Sequence, residues 1–149
     1  MQVDELREPV KLGMIGCGSI AQTVHLPVIS MLPSARLEAV CDIYESVAKQ
    51  IGQKYDVPHF TNSDDMIDEM DLDAVSICTP PDTHVPLSIR ALNKGVNVLC
   101  EKPLCRSVKQ AQKLVKCETP KARLMVAYMW RYDPAVEFAE RILAKDEIG

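Results

Sequence analysis

Residues 16–21, GCGSIA, have the types and spacing needed to hold a phosphate-linked dinucleotide. The stretch fits the fingerprint G-x-G-x-x-G/A. In that fingerprint Gly16 permits a tight turn, Gly18 lets the backbone approach a pyrophosphate, and Ala21 lets the next helix pack close to the strand. A helix beginning near Ser19 would direct its free N–H groups toward the phosphates. An ordinary glycine turn is the alternative interpretation.

Asp42 lies 26 residues after Gly16, at the predicted end of the second strand. A carboxylate at this position can accept hydrogen bonds from the adenosine ribose and would repel the 2′-phosphate of NADP. The next residues, Ile43 and Tyr44, offer no cation to offset that repulsion. The pattern therefore favours NAD over NADP. The alternative is an aspartate that stabilises the turn before a helix.

Three further side chains are candidates for contact with cofactor or substrate. Lys102 follows a predicted buried strand, between Glu101 and Pro103. A lysine at such a sheet edge can polarise or deprotonate a hydroxyl, although most lysines are surface residues. His84 either contacts a ligand or begins a helix. Arg131 either binds a phosphate or substrate oxygen or is an ordinary surface residue.

Composition limits the class of protein. The 149 residues are 47% hydrophobic and 26% charged, which is typical of one globular domain. The net charge of -4 makes nucleic acid an unexpected partner, and the absence of a long apolar run predicts no membrane span. Six cysteines without a C-x-x-C pair predict free thiols in a reducing cytoplasm and no metal site. His25 and His59 are interpreted as structural.

Hydrophobic periodicity predicts strands that alternate with helices. The predicted strands cover residues 10–15, 36–41, 57–60, 74–78, 96–100 and 124–127. Because of Pro27, the first predicted helix is a turn near 19–24 followed by a kinked or restarted helix to about residue 31. The other predicted helices cover 45–55, a short acidic segment capped by Asn62 or Ser63, 86–94, 107–117 and 134–145. Residues 79–84 are predicted as a loop and residues 1–9 as a lead-in. This alternation predicts one doubly wound α/β domain over residues 1–149, a Rossmann sheet of about six parallel strands with helices on both faces.

Together these residues resemble the Gfo/Idh/MocA family of oxidoreductases. The resemblance runs from Lys11 to Gly149 and rests on five stretches: IGCGSIA, VCD ending at Asp42, DAVSICTPPDTH at 73–84, ALNKGVNVLCEKPL at 91–104 and RYDPAVEFAERILAKDEIG at 131–149. The combination of TPPxxH and EKP is more specific than the glycine fingerprint. The RYDP stretch is most similar to the inositol dehydrogenase branch.

The resemblance implies an NAD(P)-binding domain of a dehydrogenase that transfers hydride between the nicotinamide and a hydroxyl or keto carbon of a sugar or cyclitol. It implies that Gly16, Gly18, Ser19 and Ile20 hold the pyrophosphate, that Asp42 holds the adenosine ribose, that Thr79, Pro80 and His84 line the cofactor groove, and that Glu101 and the acid/base residue Lys102 flank the nicotinamide.

Members of that family continue into a second α/β domain that carries most substrate contacts and the usual oligomer interface. We therefore expect this chain to be a truncated form or a fragment, inactive or nearly so alone, and expect homo-oligomers only with that further domain. Two other hypotheses remain open: a stand-alone NAD-binding or redox-sensing module without catalysis, and a methyltransferase, against which the EKP motif argues.

Overall fold

A computed structural model describes residues 8–145 and contains a six-stranded sheet. The strands are β1 (Val10–Ile15), β2 (Ala35–Cys41), β3 (His59–Phe60), β4 (Ala74–Ile77), β5 (Asn97–Cys100) and β6 (Leu124–Val126). Their order in the sheet is β3-β2-β1-β4-β5-β6, and every neighbouring pair is parallel. This order confirms the predicted doubly wound fold. The chain first adds strands on one side of β1 and then, from β4 onward, on the other side, so the topological switch point lies between β1 and β4.

Helices follow the strands on both faces of the sheet. They are a π-turn (Ala21–His25) continued by α1 (Leu26–Met31), then α2 (Glu45–Tyr55), α3 (Ser63–Glu69), α4 (Pro81–Asn93), α5 (Val108–Cys117), a 3₁₀ turn (Met129–Tyr132) and α6 (Pro134–Ala144). Residues 1–7 of the predicted lead-in and residues 146–149 lie outside the described residues.

Alternate residues of the central strands pack into two hydrophobic clusters, one on each face of the sheet. Met14 and Val40 pack with Leu26 and Ile51 on the face covered by α1 and α2. Ile15, Cys41 and Val75 belong to the opposite cluster, with Met66 of α3 and Leu92 of α4. A sheet covered on both faces explains why the central strands read as nearly continuous apolar runs.

Capping residues set several helix starts where the sequence predicts them. The Asn62 side chain accepts the Asp64 N–H at 2.8 Å, and Asp133 accepts the Ala135 N–H at 2.8 Å. The Ser107 hydroxyl accepts the Gln110 N–H at 3.3 Å. These side chains satisfy backbone donors that a helix leaves unpaired in its first turn.

Prolines affect two helices. The predicted kink or restart within residues 19–31 is confirmed, because a π-turn, in which the Leu26 N–H bonds to the Ala21 carbonyl, is followed by α1 with Pro27 in its first turn. The prediction of a loop over residues 79–84 and a helix from near Pro86 is wrong. Helix α4 begins at Pro81, which occupies the first helical position, and Pro86 lies inside it.

Candidate functional site

The turn after β1 is built around Gly16, which has a φ of +89°. Its N–H donates to the Cys41 carbonyl at 2.8 Å, so the turn is tied to the end of β2. A Cβ on Gly16 would lie 2.8 Å from both the backbone carbon and the oxygen of Cys78. Two independent features therefore require glycine at this position: the positive φ and the close approach of Cys78, the residue that follows β4.

Gly18 has a different environment, since a Cβ added to it would meet no atom within 4 Å. The open space beside this backbone is what a bound phosphate chain would need. The Ala21 side chain is fully buried against the sheet, which agrees with close packing of the helix on β1. Ser19 and Ile20 are exposed at the start of the same helix.

A cavity of about 690 Å³ lies at the carboxyl ends of β1, β2 and β4. Five of the predicted site residues line it: Gly16, Gly18, Asp42, Thr79 and Pro80. Its size falls in the range of small-molecule and cofactor sites. Its position agrees with the rule that open parallel sheets bind ligands outside the carboxyl ends of their strands. Ser19, Ile20, His84, Glu101, Lys102 and Arg131 do not line this cavity.

Asp42 is fixed by the backbone on both sides of its carboxylate. Its Oδ2 accepts the Cys17 N–H at 2.8 Å, and its Oδ1 accepts the Tyr44 N–H at 3.0 Å. The turn-stabilising role considered for this residue is therefore present. An ionised carboxylate has about four acceptor positions, so two remain for groups in the cavity. The predicted ribose contact and the structural role are compatible.

Three thiols line the cavity beside these residues: Cys17, Cys41 and Cys78. Burial, and the nearby Asp42 carboxylate, raise the pKa of Cys17 and of Cys41 to about 12. Burial also raises the pKa of Cys78 to about 12. All six cysteines are unpaired, as predicted. At neutral pH the three cavity thiols therefore stay protonated and act as apolar wall.

The segment after β5 carries Glu101 and Lys102. The Glu101 side chain is only 12% exposed, and its Oε1 lies 2.9 Å from Nε2 of His25. The other oxygen of Glu101 accepts the Lys102 N–H at 3.0 Å. Nδ1 of His25 lies 3.0 Å from the hydroxyl of Ser76, which is fully buried in β4. Glu101 thus organises the backbone at Lys102, whose own side chain is exposed.

His84 is fully buried rather than open to the cavity. Because α4 begins at Pro81, residue 84 lies one turn inside the helix, on its inward face. Its Nδ1 lies 2.9 Å from the Pro103 carbonyl and its Nε2 lies 2.8 Å from the Thr79 carbonyl. A neutral imidazole donates to one of these oxygens and a doubly protonated ring to both. A direct cofactor contact by His84 is not what this geometry provides.

Arg131 lies in the exposed 3₁₀ turn after β6, away from the cavity lining. Among residues 8–145, no group of three or more His, Cys, Asp or Glu side chains is arranged to hold a metal ion. Within the same part of the chain, none of the helices combines the length and the hydropathy needed to cross a bilayer.

Sequence reasoning missed two residues beside the site, His25 and Ser76. The sequence interprets His25 as structural, and its contact with Glu101, the first residue after β5, is compatible with that role. One signal was available for Ser76, since it is the single polar residue in the apolar stretch AVSIC. A polar side chain in a doubly covered strand needs a buried partner. Nothing local identifies that partner as His25, 51 residues earlier.

A glycine turn, a carboxylate after the second strand and a cavity at the switch point of the sheet define a Rossmann dinucleotide-binding domain. Comparison with known families agrees. Residues 10–128 match GFO_IDH_MocA, described as the "Oxidoreductase family, NAD-binding Rossmann fold". The chain belongs to this Gfo/Idh/MocA oxidoreductase family, as the resemblance indicated, and the family favours an oxidoreductase over the methyltransferase alternative.

Individual relatives show how much of such a protein the chain represents. Inositol 2-dehydrogenase of Rubrobacter xylanophilus is 32% identical over 95% of this chain and 42% of its own length. The crystal structure of myo-inositol 2-dehydrogenase from Lactobacillus plantarum is 28% identical, with a TM-score of 0.85 over 95% of this chain and 43% of that chain. KijD10, a 3-ketoreductase from Actinomadura kijaniata in complex with TDP-benzene and NADP, is 27% identical, with a TM-score of 0.86 over 95% and 45%. The chain therefore spans less than half the length of these relatives.

Proposed function

We propose that this chain is the cofactor-binding domain of a dehydrogenase that transfers hydride between a nicotinamide dinucleotide and a hydroxyl or keto carbon of a sugar or cyclitol. The observation that carries the proposal is the cavity at the carboxyl edge, where the glycine turn and Asp42 face one space of about 690 Å³. The similarity to inositol 2-dehydrogenase and to a 3-ketoreductase supports the substrate class.

The residues of the cavity fit a dinucleotide. The turn at Gly16 and the open backbone at Gly18 would hold the pyrophosphate, with Ser19 and Ile20 at the start of the adjoining helix. Asp42 would accept hydrogen bonds from the adenosine ribose, and Thr79 and Pro80 would line the opposite wall. Such a cofactor, when bound, supplies the acceptor or donor of the hydride.

We assign proton transfer at the substrate oxygen to Lys102. Its exposed side chain follows β5 at the same sheet edge as the cavity, so its Nζ can exchange a proton with a hydroxyl or carbonyl oxygen beside the nicotinamide. Glu101 is assigned to the nicotinamide end through its hold on the Lys102 backbone. His84 is assigned a supporting role, since it contacts the backbone of the cavity residue Thr79. Arg131 is assigned to bind a substrate or phosphate oxygen.

The preferred cofactor is NAD. The carboxylate of Asp42 matches the ribose hydroxyls and repels a 2′-phosphate, and Ile43 and Tyr44 beside it bring no compensating cation. The relatives leave this choice open, since KijD10 is described with NADP. We place the domain in the cytoplasm because its six cysteines are unpaired, and we assign substrate contacts and oligomerisation to a further domain in the longer protein.

The decisive experiment is a titration of the 149-residue chain with NADH and with NADPH, following the fluorescence of the reduced nicotinamide. We expect NADH to bind at least about tenfold more tightly than NADPH. We expect Asp42→Ala to weaken NADH binding by about tenfold to a hundredfold, since one charge-assisted contact contributes roughly 1.5–3 kcal/mol. Asp42→Asn removes the charge while keeping one acceptor, so it should relax the preference with less disturbance of the turn.

Glu140→Gln is the matched control, because it removes one negative charge from exposed α6, outside the cavity lining. It should leave both affinities unchanged. Tighter binding of NADPH than of NADH would overturn the choice of cofactor. Binding of neither cofactor by a chain that unfolds cooperatively would overturn the proposal that this domain holds a dinucleotide.

A further inference from the structure

Lys102 lies between two neighbours that are each contacted by a histidine. On its N-terminal side, the Glu101 carboxylate contacts Nε2 of His25 at 2.9 Å. On its C-terminal side, the Pro103 carbonyl lies 2.9 Å from Nδ1 of His84. The two histidines come from different elements, the π-turn after β1 and helix α4. We call His25 and His84 together the histidine clamp.

The His25 side of the clamp is a directed chain of hydrogen bonds. An ionised carboxylate only accepts, so Nε2 of His25 must carry the proton that it shares with Glu101. In the neutral ring, Nδ1 then accepts from the Ser76 hydroxyl at 3.0 Å. The second oxygen of Glu101 accepts the Lys102 N–H at 3.0 Å. Ser76 therefore fixes the ring, the ring fixes the carboxylate, and the carboxylate fixes the backbone of Lys102.

The hydrogen bonds that join Ser76, His25 and Glu101 are shielded from water. The side chains of His25 and Glu101 are 10% and 12% exposed, and Ser76 is fully buried. Hydrogen bonds removed from water are stronger and more exact in geometry than exposed ones, and breaking one leaves a buried polar group unpaired. An arrangement needed only for folding could have used apolar side chains at these positions.

The His84 side ties the same segment to the cavity wall. The ring lies between two carbonyl oxygens, with Nδ1 2.9 Å from that of Pro103 and Nε2 2.8 Å from that of Thr79. In the tautomer that holds the segment, Nδ1 carries the proton and donates to Pro103, and the other edge of the ring packs against Thr79. Thr79 is a lining residue of the cavity. The position of residues 101–103 is therefore coupled to the wall of the groove and not only to β5.

We propose that His25 and His84 are positioning residues that hold residues 101–103 from both sides and so present Lys102 at the nicotinamide end of the cofactor site. This inference rests on the proposed function, since it needs a dinucleotide in the cavity. Neither histidine touches the cofactor; each acts through the backbone beside Lys102.

The test compares two ligands on the 149-residue chain: NADH, and ADP-ribose, which shares every part of the cofactor except the nicotinamide ring. The variants are His25→Ala, His84→Ala and Lys102→Ala. We expect each variant to lower the affinity for NADH by about tenfold and to change the affinity for ADP-ribose by no more than about twofold. The reason is that only the nicotinamide end of the site loses residues in their correct position. A general loss of structure would weaken both ligands alike.

Rescue and control variants separate positioning from packing. His25→Gln keeps an N–H donor for Glu101 and an acceptor for Ser76, so it should recover most of the NADH affinity that His25→Ala loses. Ser76→Ala, a milder change if the histidine variants unfold, should reproduce a smaller loss. Two control variants should leave the affinities for NADH and ADP-ribose unchanged. They are His59→Ala, at an exposed histidine of β3, and Ser88→Ala, at a buried serine of α4.

The outcomes distinguish the clamp from the function on which it rests. If the wild-type chain binds ADP-ribose but the NADH to ADP-ribose ratio is unmoved by His25→Ala and His84→Ala, the clamp is refuted and the cofactor site stands. An equal loss of both ligands in variants that still unfold cooperatively also refutes the clamp. If the wild-type chain binds neither ligand, the proposed function fails and the clamp fails with it.

Discussion

The glycine-turn region, residues 10–42, and the carboxyl-terminal segment, residues 124–145, are both rich in apolar side chains but use them differently. In the first region Met14, Cys17 and Leu26 are fully buried. In the second no residue is buried, and Phe138 and Leu143 of α6 are each 57% exposed. Local signals such as the cap at Asp133 suffice to start a helix, whereas burial depends on what packs against it.

The predicted site residues fall into both regions and differ in the same way. Gly16, Gly18 and Asp42 lie in the first region and line the cavity. Arg131 lies in the second and is exposed. A site residue whose role depends on backbone geometry can be recognised from a motif, because the motif specifies that geometry. A residue whose role depends on a distant contact cannot.

The largest effect that tests the contrast comes from truncating a leucine in each region. Leu26→Ala should lower the free energy of unfolding by about 2–5 kcal/mol, because the side chain is fully buried between α1 and the sheet and leaves a cavity. Leu143→Ala should change it by less than about 0.5 kcal/mol. Urea unfolding followed by circular dichroism measures both. A loss above about 1 kcal/mol for Leu143→Ala would show that α6 is packed in solution, which would end the contrast.

A second test lies within the turn itself. Gly16→Ala should cost about 3 kcal/mol or more, since the new Cβ meets the Cys78 backbone at 2.8 Å and the residue must keep a φ of +89°. Gly95 provides the control, because it has a φ of +81° but no atom within 4 Å of a Cβ. Gly95→Ala should therefore cost only the backbone strain, roughly 1–2 kcal/mol.

Equal costs for the two glycine variants would show that the close approach of Cys78 is relieved by a small backbone shift. Gly18→Ala sharpens the comparison from the other side. No atom lies within 4 Å of its Cβ position, so stability should be unchanged while NADH affinity falls. Such a result would separate the glycine required by folding from the one required by the ligand.

Much of the fold could be predicted from the sequence because its signals are local. The extents of β1 and α2 agree with hydrophobic periodicity, and the caps at Asn62, Ser107 and Asp133 mark helix starts. The start of α4 was misplaced because Pro81 and Pro86 both fit a first helical position. Here the earlier proline begins the helix, and the missing N–H of Pro86 is tolerated on an exposed face.

The candidate site was predictable where one short stretch contains the whole geometry, as at Gly16 and Gly18. It was not predictable at His25, whose partner Glu101 is 76 residues away. That contact exists because β1 and β5 flank β4 in the sheet, so the segments that leave their carboxyl ends meet above it. Periodicity gives the elements but not which side chains meet between them.

The last and smallest expected effect is a difference in chemical reactivity between the thiols of the cavity and the other cysteines. Burial raises the pKa of Cys17, Cys41 and Cys78 to about 12, so at pH 8 their thiolate fraction is about 10³-fold below that of a free cysteine. We expect iodoacetamide to modify these three thiols after the half-buried Cys105 and Cys117, as read by peptide mass spectrometry of the folded chain.

The pH dependence of this alkylation gives the sign of the shift. Because the folded pKa is raised, the thiolate appears late, and the rate at the three buried thiols should rise about tenfold per pH unit from pH 8 to pH 11, where a free cysteine has already levelled off. Rapid labelling at pH 8 that bound NADH prevents would instead mean low-pKa thiols beside the cofactor. That result would favour the alternative function, a redox-sensing module, over a dehydrogenase domain in which these cysteines are apolar wall.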